Sequence, residues 1–249
     1  MARERKAGEM SGEFRKRLCK CTVVALAAAF CLTLALPGCG GKEPNVDELW
    51  EKSEQAQQGI TSLHMEIAIG YQNTRFGGGQ IQTTSIDLSG DNIHTQSAIF
   101  GQSFSEVIVT GGKQYGRFMG EKEWKEQPVS VTAQSVAMQV EGFSGLPDIA
   151  SSKENKGLER VGGKEAYHLT FSLTPEEVTE LFKNVPVAQL SASKGAKVDV
   201  WVEKDSYYRV RYEALVENVL ITEKIGYGDV QIIATLSNIN EPIKINPPM

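Results

Sequence analysis

Beyond residue 39 the chain has no cysteine. All four (Cys19, Cys21, Cys31 and Cys39) fall in the first 39 of its 249 residues, so no disulfide can form within the remainder, and burial of a core must hold it together. Histidine is scarce as well. His64, His94 and His168 all stand in strand-like patterns, without the HExxH or clustered carboxylate spacing of a zinc site. No glycine-rich phosphate loop occurs. The stretch "GFSGLPD" (142–148) lacks the second glycine spacing of a nucleophile elbow, and "DLSGDN" (87–92) has too few ligands for a calcium loop. Together these absences predict a protein that is not an enzyme and carries no cofactor or metal. Basic charge is also in deficit, with 26 Lys and Arg against 31 Asp and Glu for a net charge of −5. That balance argues against nucleic acid as a partner, and against electrostatic docking on anionic lipid.

The basic residues that do exist are concentrated at the start. Arg3, Arg5, Lys6, Arg15, Lys16, Arg17 and Lys20 lead into an uncharged run from Cys21 to Gly41, so the chain beyond is more acidic than its average. A basic leader, an apolar stretch and small residues after it have the form of an export signal. The alternative is a permanent anchor, since the run approaches the roughly 20 residues of a spanning helix, although Pro37, Gly38, Gly40 and Gly41 weaken its end. Leu36-Pro37-Gly38-Cys39 resembles the lipobox of bacterial lipoproteins, with Pro37 where Ala or Ser is usual. That resemblance implies cleavage after Gly38 and a diacylglycerol thioether on Cys39. It also implies a location on the extracytoplasmic face of the cell membrane. The expected organisation is a signal peptide over 1–38, a lipidated tether over 39–44 and one domain over 45–249. A single acyl chain holds only marginally, so the several chains of such a cysteine are what make attachment stable.

Past the tether, Asn45 and Glu48 have the spacing of a capping box, and Val46, Leu49, Trp50, Ser53, Ala56 and Ile60 keep a helical period toward Gly59. The period then changes to two: Leu63, Met65, Ile67, Ile69 and Tyr71 alternate with His64, Glu66, Ala68 and Gly70, predicting a strand with one apolar face. "GGGQ" (77–80), "SGDN" (89–92), Gly111-Gly112, Gly162-Gly163 and "KDS" (204–206) read as turns between strands. Val129, Ala133, Val136, Ala137 and Val140 fit a second helical stripe. Thr174 with Pro175 and Glu177 opens a third helix, which Pro186 ends. Strands outnumber helices and connections are short, which implies antiparallel neighbours. The fold class is therefore α+β: one long curved antiparallel sheet with about three helices against one face.

Several segments together resemble the LolA-like superfamily, most closely its LppX/LprG-type lipoproteins. They are the first helix ending in "GITSLHMEIAI", "GGKQYGRFMGEKEWKE" with Tyr115 and Trp124, "GGKEAYHLTFSLTPEEVTELF", "VDVWVEKDSYYRVRY" with Trp201, and the terminal "PIKINPP". The resemblance implies an unclosed β-barrel whose concave face, covered by helices, encloses an apolar cavity for acylated lipid. The residues offered as its lining are Val107, Val109, Phe118, Val136, Met138, Val140, Phe143, Leu146, Phe171, Leu181 and Phe182. For each of them plain core packing is the alternative. The segment 138–148 is either a mobile lip of the cavity or an ordinary surface loop. Trp124 and Trp201 are better read as cross-strand aromatics that fix hairpins than as ligand-stacking residues. The expected partners are a lipid or acylated ligand, the membrane through Cys39, and an envelope protein that the sequence does not identify. A different class of function also fits the half-barrel: an RseB-like signalling or envelope-stress module without lipid carriage, although such proteins usually carry a second C-terminal domain. A structural envelope lipoprotein without ligand also remains open.

Overall fold

The computed structural model describes residues 43–140, 143, 145–181 and 190–248, without the side chains of Met138, Val140 and Ser191. The compact unit Pro44–Met249 is the body considered below. It begins with helix α1, Val46–Gln57. The Asn45 side chain accepts a hydrogen bond from the Glu48 amide at 2.8 Å, and Asp47 and Glu48 place negative charge in the first turn, where the helix dipole favours it. Helices α2 (Ala133–Val140), α3 (Leu146–Ile149) and α4 (Pro175–Leu181) follow in the middle of the chain. The predicted start of α4 has a reciprocal cap: the Thr174 amide donates to Glu177 at 2.8 Å and the Glu177 amide donates to Thr174 Oγ1 at 3.3 Å.

Eleven strands form one antiparallel sheet in the order β6-β5-β4-β3-β2-β1-β11-β10-β9-β8-β7. The first meander comprises β1 (Ser62–Thr74), β2 (Gly77–Ser89), β3 (Asn92–Ile99), β4 (Gln102–Thr110), β5 (Lys113–Phe118) and β6 (Lys125–Gln127). The second comprises β7 (Ser152–Val161), β8 (Lys164–Leu173), β9 (Gly195–Glu203), β10 (Arg209–Thr222) and β11 (Gly226–Ser237). Sequence-adjacent strands within a meander are neighbours in the sheet, most of them joined by short turns, whereas β8 and β9 are linked by residues 174–194, which include α4. One long-range pairing, β1 with β11 from His64↔Ser237 to Gln72↔Asp229, joins the two halves. β6 and β7 stand at opposite edges, so the sheet is open, and the segment linking them carries α2 and α3. The fold is the α+β, unclosed antiparallel arrangement with helices on one face that the sequence predicts.

The alternation Leu63, Met65, Ile67, Ile69 points to the helix-bearing face. Register extends this set to Leu88, Ile86, Ile93 and Val109 on one side, and to Leu236, Tyr212, Val200, Leu169 and Phe171 on the other. These side chains and the Val46, Leu49 and Trp50 stripe of α1 belong to one buried cluster. Trp50 meets Phe171 edge-on, with centroids 5.4 Å apart. A fully buried leucine such as Leu49 stabilises by roughly 1.5–3 kcal/mol. The junction of α1 and β1 is tied to the far end of the chain through Asn240, whose side chain accepts from the Thr61 amide at 2.8 Å and donates to the Gly59 carbonyl at 3.1 Å.

One turn assignment is corrected. Gly77, Gly78 and Gly79 lie inside β2, and the reversal occurs at Arg75 and Phe76. Gly77 follows the reversal with a φ of +88°, a left-handed conformation that favours glycine, and Gly78 and Gly79 are there for room. A Cβ on Gly79 would meet the Tyr71 hydroxyl at 2.9 Å, and one on Gly78 would meet the Tyr71 carbonyl oxygen at 2.8 Å. Gly195 is more tightly confined: its φ is +128°, and a Cβ there would lie 2.6 Å from the Leu173 carbonyl oxygen. Gly195→Ala is expected to destabilise the domain by about 1–3 kcal/mol through backbone strain, measured by urea unfolding; an unchanged midpoint contradicts this account of the β8–β9 approach.

Candidate functional site

The two halves of the helix-bearing face are covered unequally. On β8, β9 and β10 the inward side chains Leu169, Phe171, Leu173, Val198, Val200, Tyr212, Ala214 and Val216 are all buried. On β1 and β11 the lower rows, Leu63, Met65 and Leu236, are buried in the same way. One and two rows further along, Ile67 and Ile69 with their register partners Ala234 and Ile232 are only partly buried against the core. They form an apolar strip that sheet and helices leave half covered. Beside it the same face turns polar: Gln82 donates to Thr84 at 3.0 Å, and the Thr84 and Ser97 hydroxyls are 3.1 Å apart.

The residues expected to line a cavity divide accordingly. Val109, Val136, Leu146 and Phe171 are sealed in the core. Val107, Phe143 and Leu181 are partly buried against it, and Phe143 stacks on Tyr212 at 5.7 Å. Phe118 shares the inward register of Val107 through Ser105 but is 46% exposed, near the edge of the sheet. The side chains of Met138 and Val140 lie outside the described residues, as do Phe182 and Cys39.

The interior beneath α1 also contains a cation that sequence reasoning missed. Arg209 is 1% exposed, its guanidinium lies 4.8 Å from the Trp50 ring and 6.0 Å from the Tyr212 ring, and its Nε and Nη1 have no hydrogen-bond partner among the described residues. Cation–π attraction, worth about 2 kcal/mol when desolvated, offsets part of the cost of burying it. Burial pushes the Tyr212 hydroxyl up to about 12, against the opposing influence of Arg209 and a hydrogen bond from Gln57, so this phenol is neutral at physiological pH.

The opposite face of the sheet is polar and carries all three histidines. His64 Nδ1 meets Asp87 at 2.7 Å, His94 Nε2 meets Glu106 at 2.8 Å, and Arg117 Nε donates to Glu106 at 2.8 Å. His168 lies between Glu159 and Asp199 at 2.9 and 2.8 Å and stacks on its cross-strand partner Trp201 at 4.5 Å. Trp124 is covered by the Arg117 guanidinium at 4.7 Å. Both tryptophans thus pack against neighbouring side chains, Trp201 across the β8–β9 pair. Burial raises the Glu106 pKa, but hydrogen bonds from Gln96, His94 and Arg117 outweigh it and hold the carboxyl below its ordinary value. Among the described residues no group of three or more His, Cys, Asp or Glu is placed to hold a metal ion. None of the described helices is long and apolar enough to cross a membrane.

This face also bears a trough of about 740 Å³, lined by Glu66, Ala68, Thr83, Ser85, Gln96, Ala98, Glu106, Arg117, Ile233 and Thr235. These positions alternate with the inward-facing set of β1 to β5 and β11; Ile67, Thr84, Ser97 and Ser105 of that set also line the trough, so most of its lining lies on the face opposite the apolar strip.

No family model matches the sequence, and no curated protein matches it. Among solved structures the chain is similar to the lipoprotein LppX of Mycobacterium tuberculosis, at 18% identity over 81% of this chain and 100% of that one, with a TM-score of 0.49. It is similar also to LprF from Mycobacterium bovis, at 15% identity over 80% and 95% of the two chains, with a TM-score of 0.46. A third similar structure is the Pseudomonas aeruginosa MucA/MucB complex, at 10% identity over 79% of this chain and 58% of that one, with a TM-score of 0.29.

The histidine network generates a pH test. Burial disfavours protonation of His64, but the hydrogen bond and charge of Asp87 outweigh it, and the His64 pKa is raised above 6.5. A raised pKa in the folded state stabilises fully below the unfolded value, and the contribution fades as pH rises through the folded value. Asp87→Asn is therefore expected to lower unfolding stability more at pH 5.5 than at pH 8.5, measured by urea titration; equal losses at both pH values contradict the pairing.

Proposed function

We propose that this chain is a non-enzymatic, membrane-anchored lipoprotein that carries an acylated or comparable apolar ligand on the helix-bearing face of its open sheet. The half-covered strip of Ile67, Ile69, Ile232 and Ala234 carries the reading. Apolar surface left partly in water gains roughly 25 cal/mol for each Å² that a hydrocarbon chain covers. In an otherwise well-packed face, such a strip is where an acyl chain gains most. Val107, Phe143 and Leu181, partly buried on the same core, are the proposed ligand contacts among the residues singled out from the sequence, whereas Val109, Val136, Leu146 and Phe171 serve packing.

In this proposal Cys39 is lipidated after removal of 1–38, and 39–44 tether the domain. Five residues from Gly40 to Pro44 at roughly 3.3 Å each reach about 16 Å, which keeps the strip close to the outer leaflet of the cytoplasmic membrane. The carrier would take its ligand there and present it to an envelope protein or another layer. The acidic chain fits covalent attachment better than electrostatic adsorption.

Two measurements test this. Native mass spectrometry of the protein purified from its own membranes is expected to show co-purifying lipid, and Ala234→Trp, which fills the strip, is expected to reduce uptake of a fluorescent fatty acid at least fivefold. Absence of both lipid and uptake refutes carriage. Cys39→Ser is expected to release the protein from membranes on fractionation; retention of the variant at the wild-type level refutes lipid anchoring and favours an uncleaved span.

A further inference from the structure

The trough on the helix-free face belongs to a different chemistry. We propose that it is a second binding site, for a neutral polyhydroxylated chain, that is, an oligosaccharide. Its volume of about 740 Å³ falls in the range of ligand sites. Depressions of about 230 Å³ adjoin it on both sides, one sharing Ala68, Gln80 and Ile233 with it and the other sharing Ser103, Glu106 and Arg117. The combined groove crosses from β11 to β5. At about 4.8 Å between strands, that is a span of roughly 24 Å, the scale of a chain rather than of one sugar ring.

The groove exists because of side-chain size. Ala68, Ala98, Ser85 and Ser103 leave a low floor between longer neighbours such as Gln96 and Arg117. The strands beneath, β1 to β4, are hydrogen-bonded on both sides, so an extended peptide finds no free backbone edge and recognition falls to side chains. Those side chains suit hydroxyl groups. The hydroxyls of Thr83, Ser85 and Ser103 make no side-chain hydrogen bond among the described residues, and amides such as Gln80 and Gln96 can donate and accept at once.

Charge decides against ionic ligands. The charged lining residues of the main trough are Glu66, Glu106 and Arg117. Arg117 is occupied by Glu106 through Nε and Nη2, and Glu106 also meets His94 and Gln96 at 2.8 and 3.0 Å. An anion would face two carboxylates with the one arginine already neutralised. A cation would find only Glu66, whose neighbour His64 lies 3.6 Å away. A neutral polyol meets neither penalty. At the β5 end Met119, 57% exposed, borders the adjoining depression and offers an apolar surface to the C–H face of a sugar ring.

The test uses the full chain in a zwitterionic, sugar-free detergent. Isothermal titration with chitohexaose, cellohexaose and mannohexaose is expected to give saturable binding of at least one, with Kd below about 1 mM. Ala98→Trp, which fills the floor, is expected to weaken it at least tenfold, and the surface variant Gln96→Leu at least threefold. Both should leave uptake of a fluorescent fatty acid unchanged. The proposal is overturned if no hexasaccharide saturates, if affinity survives both substitutions, or if a lysine-rich nonapeptide binds the trough in their place.

Discussion

The molecule depends on the ladder between β1 and β11. Within each meander strands pair with their neighbours in sequence, and this one pairing, from His64↔Ser237 to Gln72↔Asp229, turns two meanders into a single surface of eleven strands. The pairing also brings Met65 beside Leu236 and Ile67 beside Ala234, so the apolar sets of both halves become continuous. Asn240 reinforces the seam by tying the α1–β1 junction to the end of the chain. A slip of one residue here would send Ile67 and Ile69 to the polar face and His64 and Glu66 into the core.

Joining the halves creates a face longer than the described helices seal. α1 contributes Leu49 and Trp50 to a core whose most completely buried wall is β8 to β10, and the upper rows of β1 and β11 remain partly uncovered. The buried wall supplies stability, and the open strip supplies a place where hydrocarbon can settle without displacing core side chains. The opposite face resolves its charges within itself: Glu106 gathers His94, Gln96 and Arg117, and Asp199 gathers His168 and Lys197. Small side chains then leave a polar groove on that side.

Local signals were legible in the sequence. Asn45 with Glu48, and Thr174 with Pro175 and Glu177, announce helix starts because a cap is a contact between near neighbours. The alternation of Leu63, Met65 and Ile67 gave the inward face because its period is a property of the strand itself. Gly78 and Gly79 were misread because the need for glycine there comes from the Tyr71 side of the hairpin. The seam, some 160 residues apart in the chain, has no local mark. Nor does alternation separate the sealed Phe171 and Val109 from the half-open Ile67 and Ile232, since all four occupy inward positions and only the placement of the helices distinguishes them. Arg209 was overlooked because a cation in a strand ordinarily faces water. The trough went unseen because Ala68, Ser85 and Ala98 read one at a time as solvent-facing residues.

The central claim is that one half of the helix-bearing face receives ligand while the other half only packs. Photolysis of the full-length protein loaded with a diazirine-bearing palmitate, followed by peptide mapping, tests it most directly. The account predicts adducts on the peptides that contain Ile67, Ile69, Ile232 and Ala234, with little label on Leu169, Phe171, Val198 and Val200. Label concentrated on the latter set, or spread over the outer surface without preference, would contradict it.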